Sequence, residues 1–442
     1  MNEQKENFVP TVTNFSPEWL DGKQLNEVAF CEAFLKNHPM KSVGGAFFTV
    51  EGRVSDENKL KKEIYDCLKP HFTTGLTKRV ATLLDAIRME CYAPDLPIHN
   101  DRIHVQNGTL FLDGRFTVEK EYCRNRLPVA YHPEVPLPQT WLRFLSQLLE
   151  PEDIITLQEF MGYCLLPTTK GQKMLMLVGR GGEGKSRVGL VLRALFGENM
   201  STGNLAKIEN NRFARADLEH ELVMVDDDMK LEALPQTNII KSIITAELPM
   251  DLEKKGQQSY QGPLYVRFFG FGNGSLKALH DRSEGFFRRQ IILTVKKKDP
   301  NRVDDPNIAE KMCAEAGGIF LWCLNGLQRL QAQNYRFTLS KRAQENMTAA
   351  VSDGNNIVDF MASEGYIRLK ADYEVSSKVL YAVYKIWCED NALTPLSAKS
   401  FSAFLTENAD TYHLEYSNNI YLDNRRRVRG FVGIEVLQRV FA

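Results

Sequence analysis

The run Gly179-Arg180-Gly181-Gly182-Glu183-Gly184-Lys185-Ser186 sets glycines, a lysine and a hydroxyl in the order that phosphate chemistry needs. Glycines let the backbone turn tightly, so that several N–H groups point at phosphate oxygens. An apolar stretch, Lys173 to Val178, leads into this run. An amphipathic segment, Val188 to Phe196, follows it and stops at Gly197. A helix starting there adds partial positive charge at its first turn, which includes Arg187. Lys185 would reach the β- and γ-phosphates, and the Ser186 hydroxyl would help hold Mg²⁺. The expected ligand is ATP with Mg²⁺, held by Gly179, Gly181, Gly182, Glu183, Gly184, Lys185, Ser186 and Arg187. A chance glycine-rich turn is the competing reading, and the agreement of strand, spacing and helix disfavours it.

Three further segments could complete such a site. Leu222 to Val225 reads as a short buried strand ending in Asp226-Asp227-Asp228. The expectation is Asp226 on Mg²⁺ through water and Asp227 polarising the attacking water. A slip of one residue would exchange the two roles. Leu264 to Phe271 is another strand candidate, ending at Gly272-Asn273. Asn273 could contact a γ-phosphate or a water, or could be an ordinary turn residue. Arg288-Arg289 leads into the strand-like Gln290 to Thr294. An arginine there can pair with acids of its own subunit or reach a neighbour's γ-phosphate.

These segments must be held by a sizeable scaffold. The chain has 442 residues, and at about 150 residues per domain this suggests roughly three domains. Hydrophobic residues make up 43% and charged residues 25%, enough for a packed core. Lys plus Arg number 55 against 56 Asp plus Glu, a net charge of -1, which excludes a globally basic nucleic-acid binder but not a local basic surface. Without an apolar run of membrane-spanning length, or a basic-then-apolar start, the expectation is a protein with no membrane partner and no secretory signal. The eight cysteines are scattered, with no close pair to suggest zinc, and read as reduced thiols of a cytosolic protein.

Along the chain, Lys59 to Leu68 and Lys78 to Cys91 carry helical spacing. Ile103, Val105, Leu110 and Leu112 alternate with polar residues around Asn107-Gly108, as in a β-hairpin. A proline-rich joint with Pro128, Pro133, Pro136 and Pro138 precedes two helices, Gln139 to Leu149 and Pro151 to Cys164. From Lys173 to Thr294 strand-like and helical patterns alternate, which predicts an α/β core with parallel strands. Residues 306–349 read as helices. The expected division is a mixed α/β domain at 1–135, a helical collar at 136–172, the ATPase core at 173–350 and a separate unit at 351–442. In that last unit, helices at Ser376 to Asn391 and Ser397 to Thr406 precede strands at Tyr412 to Tyr416, Ile420 to Leu422 and Val428 to Ile434. This order looks like a winged helix, with Lys399 opening the groove-facing helix and Arg425, Arg426, Arg427 and Arg429 on the wing. An arginine-rich turn can equally be a solvated hairpin.

Taken together, residues 173–294 resemble superfamily 3 AAA+ helicases, and more closely the helicase half of phage and plasmid primase-helicases related to those of poxviruses. The likeness spans roughly residues 100–350. It includes Asn211-Arg-Phe-Ala-Arg-Ala-Asp-Leu218 before the acidic strand and Gln158-Glu-Phe-Met-Gly-Tyr163 ahead of the core. It implies that Asn273 is the sensor asparagine and that Arg288 or Arg289, with Arg289 preferred, is the finger. It also implies that Lys254 or Lys255 lies at the tip of a hairpin facing a central channel. Such proteins are hexameric rings that move 3′ to 5′ along single-stranded DNA at forks, in the cytoplasm of a bacterial host. With no primase pattern in the first hundred residues, the resemblance implies a stand-alone helicase, with priming expected from a separate primase or host replication proteins. An origin-binding initiator or regulatory AAA+ switch is the competing reading, and a small-molecule kinase lacks an evident acceptor site.

Overall fold

The computed structural model describes residues 17–229, 237–273, 286, 288–354, 356–391, 393, 395–421 and 427–437. Five strands form its central sheet: β1 (Met174–Gly179), β2 (Met200–Thr202), β3 (Val223–Met229), β4 (Arg267–Asn273) and β5 (Gln290–Thr294). They lie in the order β2-β3-β4-β1-β5, and every neighbouring pair is parallel. Alternation sends Leu175, Leu177, Val223, Val225, Phe269, Phe271, Ile291 and Leu293 into one core. Met174, Met176, Val178, Met224, Phe268 and Ile292 enter the core on the other face. A parallel sheet is covered on both faces, which is why these strands read as unbroken apolar runs.

Helices α1 (Gln139–Leu148), α2 (Pro151–Tyr163), α3 (Lys185–Phe196) and α4 (Ala316–Ala332) contribute to the first core. Helices α2 and α4 touch backbone to backbone. A Cβ on Gly162 would lie 2.3 Å from the Cys323 carbonyl oxygen, and one on Gly326 would lie 2.3 Å from that of Gln158. Around this contact the Gln158 amide donates to the Trp322 carbonyl at 2.8 Å. The buried Glu159 accepts from Arg329 Nε at 2.6 Å and from the Thr338 N–H at 2.7 Å. The Gln158–Tyr163 signature therefore clamps two helices behind the sheet and supplies no group to the site described below.

Two boundaries differ from those expected. Residues 1–135 do not share one core. Trp19 to Ile87 pack among themselves around Phe30, Phe47 and Leu83. The hairpin of Arg102–Val105 and Gly108–Phe111 buries Ile103, Val105 and Leu110 in the main core beside Trp141. The α1–α2 pair of the expected collar enters that same core. Apolar contacts that link segments so distant in sequence leave no local signal at the joints.

The last unit has its own core, from Ile357 to Ile434. In chain order it comprises α5 (Asn356–Met361), β6 (Ile367–Ser376), α6 (Ser377–Asp390), α7 (Ala398–Glu407), β7 (Glu415–Tyr421) and β8 (Arg427–Val436), with a short helical turn Ala409–Tyr412 before β7. Its antiparallel sheet has the order β6-β8-β7. Strand β6 is absent from the sequence reading because Arg368 to Glu374 are all exposed and, apart from Leu369, Ala371 and Tyr373, polar, which hides its pairing with β8. The two strands expected at 412–416 and 420–422 are one strand, β7, broken by a bulge between Ser417 and Ile420.

Candidate functional site

The glycine-rich loop leaves β1 at the carboxyl edge of the sheet and enters α3. Positive φ angles of 110°, 81° and 111° at Gly181, Gly182 and Gly184 curl it into a cradle. Glu183 fills that cradle. Its Oε1 accepts the N–H groups of Arg180 at 2.6 Å and Gly181 at 3.0 Å. Its Oε2 lies 2.9 Å from the buried Lys185 Nζ. Burial raises the Glu183 pKa, but Lys185 and the backbone N–H groups outweigh it and hold the carboxyl below its usual range. The loop is thus built around an anion, and that anion is its own side chain.

A cleft of about 710 Å³ opens over this cradle. Ser186, Arg187, Asp227 and Asn273 line it together with the loop, and Thr140, Arg143, Phe144 and Gln147 of α1 form one wall. The volume is within the range that holds a nucleotide-sized ligand. Asn273 ends β4 on the same side as Phe269 and Phe271, and β4 adjoins β1 in register, Asn273 opposite Gly179. Asn273 Oδ1 lies 3.9 Å from where a Cβ on Gly181 would sit.

Two of the three acids of β3, Asp226 and Asp227, take opposite faces of the sheet, at the start of a register shift against β4. Asp227 follows Val223 and Val225 onto the α3 side and lines the cleft. Asp226 follows Met224 onto the opposite side, where its Oδ2 accepts the Leu205 N–H at 2.8 Å at the start of the helix Leu205–Asn210. Burial raises the Asp226 pKa. The structure thus sets Asp226, expected on Mg²⁺, and Asp227, expected to polarise the attacking water, on opposite faces of the sheet. Of the two, Asp227 shares the cleft with Ser186.

Arg288 and Arg289 sit at the other end of the sheet. Gln290 pairs with Met174, and the Arg289 carbonyl accepts the Met174 N–H at 2.8 Å. Six residues of β1 at about 3.3 Å each separate this level from Gly179, a gap of roughly 20 Å that no arginine side chain spans. Neither arginine can reach the cleft of its own chain. Arg288 is exposed and Arg289 half-buried.

Lys254 and Lys255 lie in the loop joining the paired strands Met250–Leu252 and Tyr260–Gly262. They differ sharply. Lys254 Nζ is 3.0 Å from Glu219 Oε2, which also accepts the Tyr260 hydroxyl at 2.7 Å. Lys255 is exposed beside Gly256, whose φ is 78°. The Asn211–Leu218 segment supports this hairpin: Asn211 caps the helix Arg212–Ala216, and Arg212 pairs with Glu253 at 3.0 Å. In the last unit Lys399 is exposed in the first turn of α7, whose Ser397 cap accepts the Ser400 N–H. Arg427 and Arg429 are exposed on β8, whereas Arg425 and Arg426 lie outside the described residues.

Arg302 is the residue that the sequence did not reveal. Its guanidinium donates to the carbonyls of Glu183 at 3.0 Å and Gly182 at 3.2 Å, bracing the loop from outside. It stands in a charged stretch that reads as solvated, 120 residues from its partner Gly182. No local pattern could have linked them.

Because Glu183 occupies the cradle, a phosphate entering it would have to displace that carboxylate. Glu183→Gln is expected to tighten nucleotide binding about tenfold, near the worth of one charge-assisted hydrogen bond of ~1.5 kcal/mol. Titration with a fluorescent ATP analogue measures it. Unchanged or weaker binding would show that the carboxylate is not a competitor.

The fold and site define a mixed α/β protein with a parallel five-stranded sheet and an anion-holding loop at its carboxyl edge. Residues 177–289 match DUF5906, a family described as of unknown function. No curated protein matches the sequence. Solved structures of the NrS-1 C-terminal region in apo form share the fold over 91% of this chain and 98–99% of theirs. Two of them superpose with a TM-score of 0.52 at 9% and 10% identity, and a third with 0.51 at 11%. Among the described residues no helix is long and apolar enough to cross a membrane.

Proposed function

We propose that this chain is the ATP-driven DNA helicase subunit of a mobile element's replication machinery, working as a hexameric ring of the superfamily 3 AAA+ type. The observation that carries the reading is the joint placement of Lys185, Ser186, Asp227 and Asn273 around one cleft. With β4 inserted between β3 and β1, a polar residue at its end stands between the lysine and the acid. The seat taken by Glu183 fits a phosphate, since a carboxylate is the closest protein counterpart of two phosphate oxygens. Mg²⁺ would be held by Ser186 and Asp227 and would neutralise charge on the β- and γ-phosphates. Asp227 and Asn273 orient water for attack on the γ-phosphorus, with ADP as the leaving group. Arg289 stabilises that charge from the adjoining subunit, which agrees with its distance from its own cleft.

The hairpin lysines and the last unit supply DNA contacts in this reading. The chain order helix–strand–helix–helix–strand–strand, with β8 between β6 and β7, supports a winged helix carrying Lys399 and Arg427. Strand separation on a forked substrate, dependent on ATP and on a free 3′ end, tests the proposal. ATP hydrolysis without unwinding at any fork would favour an initiator or regulatory ATPase instead.

Lys254→Ala combined with Lys255→Ala is expected to weaken single-stranded DNA binding while ATP binding persists. Each lost phosphate contact lowers the slope of log K against log salt by about 0.7, so the pair should lower it by roughly 1.4. Fluorescence anisotropy at several salt concentrations reads the slope. An unchanged value removes the hairpin from DNA binding.

A further inference from the structure

Away from the cleft, two imidazoles and a carboxylate converge beside the hairpin. His99 Nδ1 is 3.0 Å from His104 Nε2, and one ligand atom from each of His99, His104 and Glu121 lies within 4.8 Å of the others. We propose that these three residues form a binding site for a divalent transition-metal ion of the Zn²⁺ class, which staples the hairpin to the segments on either side of it.

The surroundings prepare the ligands. His104 is on the strand Arg102–Val105, opposite Thr109 of Gly108–Phe111. The Thr109 hydroxyl lies 3.3 Å from His104 Nδ1 and 3.4 Å from the Glu119 carbonyl oxygen. With Nδ1 against this hydroxyl, Nε2 is the nitrogen that faces His99 and would take the metal. A ligating histidine whose other nitrogen is fixed in this way is the usual arrangement at zinc. Glu121 receives Arg102 Nη1 on both oxygens, at 3.1 and 3.4 Å, a contact that orients the carboxylate and that a metal would share. The Arg102 charge is already engaged by Asp101, through Nε at 3.1 Å and Nη2 at 3.0 Å.

The geometry selects the class of ion. Bonds of about 2.0–2.1 Å in a tetrahedron put ligand nitrogens about 3.3 Å apart, close to the separation seen. Two imidazoles disfavour Mg²⁺ and Ca²⁺, which take oxygen ligands. The Glu121 side chain is 41% exposed, so water reaches the site and can take the fourth position. The ion would connect the loop bearing His99, the hairpin and the loop bearing Glu121, near the joint between the first unit and the main core.

The test uses the full chain, stripped with a chelator and titrated with Zn²⁺ against a chromophoric competitor. One ion should bind per chain with a dissociation constant at or below the micromolar range, and its addition should raise the Tm. His99→Gln and Glu121→Gln, both outside the core, should each weaken binding at least tenfold and abolish the Tm rise. His71→Gln, a substitution at an exposed histidine of the first unit, should change neither. Circular dichroism establishes that each variant is folded. Co²⁺ should give visible absorption bands that the two variants lose. No binding at micromolar Zn²⁺, or full-strength binding by both variants, overturns the proposal and leaves the histidines as a hydrogen-bonded pair.

Discussion

Arg289→Ala protomers are expected to lose ATP hydrolysis by about 10³-fold or more while still binding ATP, the loss typical of a missing arginine finger. The reason is positional. Register against β1 puts Arg289 at the amino edge of the sheet, whereas the loop, Asp227 and Asn273 occupy the carboxyl edge. An arginine that cannot touch its own nucleotide but abolishes turnover must act on a neighbour's. Mixing with Lys185→Ala protomers provides the decisive measurement. In a randomly mixed ring about a quarter of interfaces pair an intact Lys185 with an intact Arg289, so up to that share of normal activity should return. Phosphate release across mixing ratios reads it. Mixed rings that assemble without recovering activity would show the site is not shared, and Arg289 would revert to a structural role.

Lys185→Ala should lower turnover by at least ~10²-fold, the scale for removing one charge-stabilising donor. It should also destabilise the folded chain. The Glu183 carboxylate would keep its two backbone N–H donors but lose its only cationic partner in the loop, and breaking a buried pair on one side costs about 3–5 kcal/mol. The double variant Lys185→Ala with Glu183→Gln separates the two effects. Thermal unfolding should return toward the parental Tm while hydrolysis stays lost. If the single variant melts with the parent, Glu183 is not dependent on Lys185 in the free protein.

Much of this was legible in residue order. Glycine φ preferences and the Gly-Lys-Ser sequence define the loop whatever surrounds it. Continuous apolar runs ending in Asp226, Asn273 and Gly179 announce buried parallel strands with polar ends on one edge. Helical periodicity locates α1, α3 and α6 because each has an apolar face to bury. Other elements gave no such sign. Strand β6 is polar along most of its length because it lies at a sheet edge, where backbone pairing with β8 replaces side-chain burial. The Gln158–Tyr163 signature carried part of the family likeness, and its residues act by helix contact, with Gly162 required by a close approach to Cys323.

The sequence by itself determined the anion-holding loop, the α/β alternation and the polar strand ends, since each depends on local backbone preference or on periodicity. Only the tertiary structure decided which acid faces the cleft, because strand parity acquires meaning once α3 covers one face of the sheet. It alone brought Arg302 to the loop and set Lys254 against Glu219, contacts between segments with no common pattern. It also put Arg289 beyond reach of its own cleft, a matter of register between strands whose pairing no stretch of sequence records.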